Sequence, residues 1–355
     1  MGRNRTVKLF EKIKEKHTYV IAEMSANHSG NIEVAKKIIW AAKEAGADCL
    51  KIQTYTADSL TLDCDNEFFR INSGLWKGET FYQLYSRAFT PWEWQAELKA
   101  ETEKAGMDFL STPFDYSSVD FLEKLGVEFY KIASFELVDI PLIKYVASKG
   151  KPIILSTGMG TLSEIDEAVA TIKEQGNNKI VILRCASAYP AITDEMNLAT
   201  MRNMKETFGV PVGLSDHSAG FVGAVTAVAL GASVIEKHLC LSRDIDSADA
   251  AFSMEPKEFG DMVKAIRQAE RAIGIVKYGP SPQELGSVAK RRSIFVARDV
   301  KKGEVFTKDN IRVVRPADGI HPRFYDKVLG KMATLDIKMG TPLSFDMIGG
   351  GNNGC

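Results

Sequence analysis

From residue 19 onward the chain alternates eight times between a short apolar run and a longer segment of helical periodicity. The runs are YVIAEMSAN (19–27), CLKIQTY (49–55), MDFLSTPF (107–114), EFYKIASF (128–135), PIILSTG (152–158), KIVILRCAS (179–187), VPVGLSDH (210–217) and SVIEKHLC (233–240). Stretches such as IEVAKKIIWAAKEAG and EIDEAVATIKEQG follow them, with apolar residues recurring every three or four positions. Strands joined through helices pair in parallel, and a parallel sheet needs helices over its faces. Eight regular units predict an α/β fold in which the sheet closes into a (β/α)8 TIM barrel, with an open doubly wound sheet as the competing architecture. Local punctuation agrees. TPWE (90–93) and TLSE (161–164) fit capping boxes, the first with Pro91 at the first helical position, and Gly46, Gly106, Gly126, Gly150 and Gly176 fall where helices stop.

Two regions break the pattern. Residues 57–89 are too long for a βα loop and carry Gly74-Leu75-Trp76 among further aromatics, which predicts an ordered flap near the barrel mouth. Beyond the barrel, residues 1–276, a Pro- and Gly-bearing linker is expected over 277–290, a small β-rich module over 291–348 and a disordered tail, GGGNNGC, over 349–355.

Composition removes several function classes. Lys+Arg 45 against Asp+Glu 46 leaves a net charge of -1, which offers no general attraction for nucleic acid or an anionic membrane. The first twenty residues lack the apolar core of a signal peptide, and no apolar run approaches the roughly 18 to 20 residues that span a bilayer. Five scattered cysteines without CxxC spacing point to a reduced, cytoplasmic setting with neither a disulfide framework nor structural zinc.

A barrel of this kind carries its site at the C-terminal strand ends. Here those ends are polar: Glu23 with Asn27 and His28, Lys51 with Gln53, Thr112, Lys131 with Ser134 and Glu136, Ser156, Ser187 with Tyr189, Ser215 with His217, and Glu236 with His238. One such residue is ordinarily a solvated or core-satisfied group; recurrence at the same end of eight strands needs a different explanation. Lys51 and Lys131 lie in apolar strands, where an ammonium requires an anion. With the hydroxyls of Thr112, Ser134, Ser156 and Ser215 they form a cradle for a small phosphorylated anion, or else they pair internally with Glu23 or Glu136. STGMG (156–160) enters a helix and adds backbone N–H groups. His217 and His238 end neighbouring strands; with Glu23 next around the circle they suit a divalent cation with open positions, or an acid and base pair.

The ordered series IAEMSANHSG, KIQTY, STPF, YKIASFE, LSTGMG, YP, GLSDHS and EKH, followed by a module containing VRP, resembles the sialic acid (nonulosonic acid) synthase family from about residue 18 to 347. The resemblance implies a TIM barrel followed by an antifreeze-like SAF domain. It implies a metal-dependent enzyme that condenses phosphoenolpyruvate with an N-acetylated amino sugar, its catalytic set being Glu23, Lys51, Lys131, His217 and His238. By the same resemblance Lys51, Thr112, Lys131, Ser134, Ser156, Ser187 and Ser215 hold phosphoenolpyruvate, and His217 and His238 hold Mn2+ or Mg2+. Glu23, Glu136, Tyr189 and Asp249 then face the sugar, and a domain-swapped homodimer brings Arg315 of VVRP to the partner's site. SANH, KIQTYTADSLTL, the SGLW…LY insert and the SFE after YKIA are most similar to the branch that makes pseudaminic acid from a 2,4-diacetamido-2,4,6-trideoxy sugar of altrose type. Synthases of N-acetylneuraminate, legionaminate or spore-coat sugars are the enzymatic alternatives, and a carbohydrate-binding protein is the non-enzymatic one. Ser187 stands where sialate synthases carry Asn.

Overall fold

A computed structural model of the chain describes residues 8–350. Eight parallel strands close a barrel in sequence order: β1 (Tyr19–Glu23), β2 (Cys49–Thr54), β3 (Asp108–Pro113), β4 (Tyr130–Ile132), β5 (Ile153–Ser156), β6 (Ile180–Cys185), β7 (Val212–Asp216) and β8 (Val234–His238). β8 returns to β1 in a register running from Tyr19 beside Val234 to Glu23 beside His238, which decides against the open sheet. Each strand is shorter than the apolar run that announced it. After Glu23, for example, the chain turns into a 3-10 helix, Ser25–His28, so Asn27 and His28 lie beyond the strand.

The two-residue period of the strands sorts side chains into two layers. Val20, Leu50, Ile132, Leu155, Leu214 and Ile235 face outward and pack with the helices in the main core. Ile21, Cys49, Leu110, Phe129, Ile154, Val181, Leu183 and Val234 form a second cluster within the ring of strands. Two residues further along the same inward register stand Glu23, Lys51, Thr112, Lys131, Ser156, Cys185, Ser215 and Glu236. The barrel is therefore apolar in its lower part and polar towards its C-terminal end.

The apolar cluster is closed by a helix that no sequence feature announced, Lys8–Lys14. Its Leu9 is fully buried in this cluster, Phe10 and Ile13 pack beside it, and Lys12 pairs with Asp48.

Of the two expected capping boxes, TLSE forms: the Glu164 N–H donates to Thr161 Oγ1 and the Thr161 N–H to Glu164 Oε2. TPWE does not. Pro91 is itself the cap of the helix Trp92–Lys104, and the buried Thr90 hydroxyl instead lies 3.2 Å from His28 Nε2. The five helix-stopping glycines all have positive φ, between 69° and 91°.

Residues 57–89 are ordered as expected, with short helices Ala57–Leu60 and Phe81–Ala88 and a bridge between Arg70 and Thr80. Their Ile71, Trp76, Leu84 and Tyr85 pack with Ala26 and Ala248.

The chain divides into two compact units between Gly274 and Ile275. The second has its own core, including Ile294, Phe306, Ile311, Val328 and Leu343, and two small antiparallel sheets. One joins β9 (Ser293–Val296) to β10 (Ile311–Val314), the other β11 (Met332–Ala333) to β12 (Ile348–Gly349). Gly349, expected to begin the tail, is thus paired with Met332; residues 351–355 of that tail lie outside the described residues.

Leu9→Ala should lower the unfolding free energy by about 2–5 kcal/mol, the range for deleting a buried leucine side chain. Urea unfolding followed by circular dichroism measures this, and a loss below about 1 kcal/mol would separate the helix from the barrel core.

Candidate active site

The polar upper barrel opens into a cavity of about 580 Å3. Its floor is a network of buried charges. Lys51 Nζ pairs with Glu23 Oε2, lies 3.3 Å from Glu236 Oε1 and 3.5 Å from Thr112 Oγ1. Lys131 Nζ lies 3.6 Å from the same Glu236 oxygen, to which the Ser215 hydroxyl donates at 3.2 Å. Lys51 therefore does pair internally with Glu23, while the partner of Lys131 is Glu236 and not Glu136.

Burial and charge compete at each group. Burial pushes the Glu23 carboxyl up to about 7 against the pull of Lys51. It works against the Lys51 ammonium too, but Glu23 and Glu236 outweigh it and hold Lys51 above its ordinary value. Lys131 is left below its ordinary value by burial. At Glu236 burial favours protonation, and Lys131 with Lys51 overcomes it, leaving the carboxyl below its ordinary value.

Several buried polar atoms on this surface have no hydrogen-bond partner: Ser156 Oγ, Glu136 Oε2, Glu236 Oε2 and His238 Nδ1. Such atoms are rare in folded proteins and leave hydrogen-bonding capacity free at the cavity. Beside them the Ser134 and Ser187 hydroxyls are 3.0 Å apart. Their approach requires Gly158, at φ +46°, because a Cβ there would lie 2.4 Å from Ser134 Cβ and 2.7 Å from Ser187 Oγ.

The two imidazoles have ring centres 5.2 Å apart. His217 Nδ1 donates to the Ala186 carbonyl at 2.8 Å, which leaves the lone pair on Nε2. Burial disfavours charge on both Cys185 and His217, yet their contact outweighs it: the thiol falls to about 7 and the imidazole rises. His238 is kept neutral, first by burial and then by His217 and Lys51, and its Nδ1 is 3.6 Å from Asp249 Oδ2.

The cavity thus collects Lys51, Lys131, Ser134, Glu136, Ser156, Ser187, Tyr189, Ser215, His217, His238 and Asp249 of the expected residues. Glu23 and Thr112 contact Lys51 from beside it. Arg315 belongs to the second unit, directly after β10. Asn27 and His28 serve the framework: the Asn27 amide donates to the Leu239 carbonyl and Ser253 hydroxyl, and His28 meets Thr90 and the edge of Trp94. Sequence reasoning placed Glu236 at a strand end without giving it a role. Its position two residues before His238, in the same inward register, was the available signal.

The flap gives the same cavity an apolar wall, with Leu60, Ile71, Trp76, Phe81 and Leu84 lining it. The Trp76 indole N–H donates to the Ala248 carbonyl at 3.1 Å and its ring lies 6.1 Å from that of Tyr189.

Residues 38–278 match the model of the NeuB family, and residues 291–349 match the SAF domain. The chain is 46% identical to the pseudaminic acid synthase of Campylobacter jejuni, across 93% of this chain and 96% of that protein. It is 43% identical to the pseudaminic acid synthase of Helicobacter pylori, across 93% and 97% respectively. The crystal structure of N-acetylneuraminic acid synthetase from Leptospira borgpetersenii, in complex with citrate, matches with a TM-score of 0.68 at 31% identity, over 76% of this chain and 90% of that one.

Burial raises the Glu136 carboxyl from an ordinary 4.5 to about 7. The folded chain therefore binds this proton more tightly than the unfolded chain, a contribution present at low pH and lost as pH rises through that window. Relative to wild type, Glu136→Gln should gain roughly 1–3 kcal/mol of unfolding free energy between about pH 5 and about pH 8. Chemical denaturation across that range reads the difference, and parallel stability curves would contradict it.

Proposed function

The chain belongs to the NeuB family, and on that premise we propose that it condenses phosphoenolpyruvate with a 2,4-diacetamido-2,4,6-trideoxy sugar of altrose type to give pseudaminic acid and phosphate. The observation that carries the proposal is a cavity lined both by two buried lysines with the unpartnered Ser156 hydroxyl and by apolar flap residues. The floor suits the carboxylate and phosphate of phosphoenolpyruvate, with Lys51, Lys131, Thr112, Ser134, Ser156, Ser187 and Ser215 as its contacts. The wall suits a sugar whose C6 is a methyl group and whose nitrogens are acetylated.

In this reading C3 of phosphoenolpyruvate bonds to the aldehyde carbon of the open-chain sugar, and the aldehyde oxygen takes a proton. Water adds to the cationic C2, losing a proton to the Glu23 carboxylate. The resulting hemiketal phosphate then breaks its C2–O bond, the hemiketal hydroxyl proton leaving with the phosphate, and the ketone of the product remains. The lysines stay protonated and balance the substrate anions throughout, so their part is electrostatic preorganisation. Glu136, Tyr189 and Asp249 orient the sugar above this floor.

The two imidazoles fit a divalent cation, Mn2+ or Mg2+. His217 offers Nε2 and His238 is held neutral, so each can present an imidazole lone pair. Bound there, the cation supplies Lewis-acid polarisation of the aldehyde oxygen.

A second copy completes the site in this proposal, presenting Arg315 from its SAF domain. Phe135, Val138, Met159, Leu162, Ile192 and Val222 are exposed on the segments that follow β4, β5, β6 and β7, an apolar rim suited to such a cover. We place the enzyme in the reducing cytoplasm, in keeping with free thiols at Cys49, Cys64, Cys185 and Cys240. No helix of the described residues is long and apolar enough to cross a membrane.

The test offers phosphoenolpyruvate and Mn2+ with a panel of acceptors: the diacetamido-trideoxy altrose, its legionaminate-type isomer and N-acetylmannosamine. Phosphate release should be fastest with the altrose sugar, and a preference for N-acetylmannosamine would overturn the acceptor assignment. Trp76→Ala should lower kcat/KM for the altrose sugar about 10- to 100-fold, the scale set by removing apolar contact from a specificity pocket. The KM for phosphoenolpyruvate should stay within about 3-fold, since Trp76 lies in the wall and not the floor.

A further inference from the structure

The SDH and EKH motifs carry a second pair of side chains that no step above uses. Asp216 lies between Ser215 and His217, and Lys237 between Glu236 and His238, so the strand period turns both away from the cavity. The parallel register sets them side by side across β7 and β8. Each is about 1% exposed.

Their contacts converge on the residues flanking His217. Lys237 Nζ lies 2.9 Å from Asp216 Oδ2 and also donates to the Ser218 carbonyl. Asp216 Oδ1 accepts from the Ser218 N–H at 2.8 Å and from its hydroxyl at 2.6 Å. The helix Val222–Ala229 closes over the pair, and a Cβ at its Gly223 would lie 3.4 Å from Asp216 Oδ2 and 2.6 Å from Met196 Cε. One ammonium thus grips the residues on both sides of His217 while being itself the neighbour of His238.

A buried ion pair is weak as a source of stability, because desolvation offsets its attraction and apolar replacements of similar volume are often as stable. What it supplies is geometry. We propose that Asp216 and Lys237 are positioning residues, a clamp across β7 and β8 that fixes the spacing and orientation of the His217 and His238 imidazoles and thereby the affinity of that pair for a divalent cation. The proposal rests on the reading of these two imidazoles as cation ligands.

The test measures Mn2+ binding to the full chain, without substrate, from the electron paramagnetic resonance signal of free Mn2+. Wild type, His217→Ala and Lys237→Met are compared, with near-ultraviolet circular dichroism as the check on folding. If Lys237→Met does not fold, the double variant Asp216→Asn/Lys237→Met, which buries no net charge, replaces it. The clamp predicts a Kd for Mn2+ about 10- to 100-fold weaker in the folded variant, the effect of losing an outer contact to metal ligands. A merely structural pair would lower the melting temperature and leave the Kd of the folded protein unchanged. Wild-type binding that is lost in His217→Ala but is within about 2-fold of wild type in the folded clamp variant would overturn the clamp alone. Wild type that binds no Mn2+, or His217→Ala that binds it as wild type does, would overturn the cation reading and the clamp with it.

Discussion

Two ammonium groups buried inside a ring of β-strands set the terms for everything above them. Lys51 and Lys131 stand where the barrel changes from apolar to polar, and neither position is tenable without negative charge nearby. Glu23 and Glu236 supply it from the neighbouring inward positions of β1 and β8. The pairing is uneven, though: Glu236 Oε1 serves both lysines and Ser215, while its Oε2, and the hydroxyl of Ser156, have no hydrogen-bond partner. The floor keeps its own charge balanced and still presents cationic and hydrogen-bonding capacity towards the cavity. Catalysis by preorganised electrostatics needs that combination, since groups already fixed in place do not have to reorganise when charge moves.

The barrel makes this arrangement possible through the strand period alone. On each strand one alternate set of residues faces the helices and the other faces inward, so a single inward register runs from the apolar cluster closed by Leu9 to the charged floor. The outward positions at the top of β7 and β8 carry Asp216 and Lys237, which are as deeply buried as Lys131 and Glu236 yet face the opposite layer. A sequence motif such as SDH therefore divides its three residues between two environments: Ser215 and His217 look into the cavity, and Asp216 looks into the helical layer.

Much of this was legible in the sequence because it follows from periodicity. Eight strand and helix units, their order, the glycine helix stops and the polar strand ends were all readable, since each is dictated by residues close together in the chain. What escaped depended on long-range packing. Thr90 has a capping sequence but is claimed by His28, 62 residues away. The helix Lys8–Lys14 looks like a charged surface segment until Leu9 is placed in the cluster at the barrel's lower end. Glu236 was visible as a polar strand end, but its role as the shared partner of two lysines requires β8, β2 and β4 to meet across the barrel. The family resemblance supplied Asp249, which no periodicity marks, and the structure sets it 3.6 Å from His238.

On the function proposed above, the floor holds phosphoenolpyruvate for attack through C3 and cleavage of its C2–O bond. Phosphoenolpyruvate labelled with 18O in the bridging oxygen tests it directly, with the products of one turnover of the sugar condensation analysed by mass spectrometry. The label should leave with inorganic phosphate. Label retained in the sugar acid would mean that the P–O bond breaks instead, and would contradict the chemistry assigned to these residues.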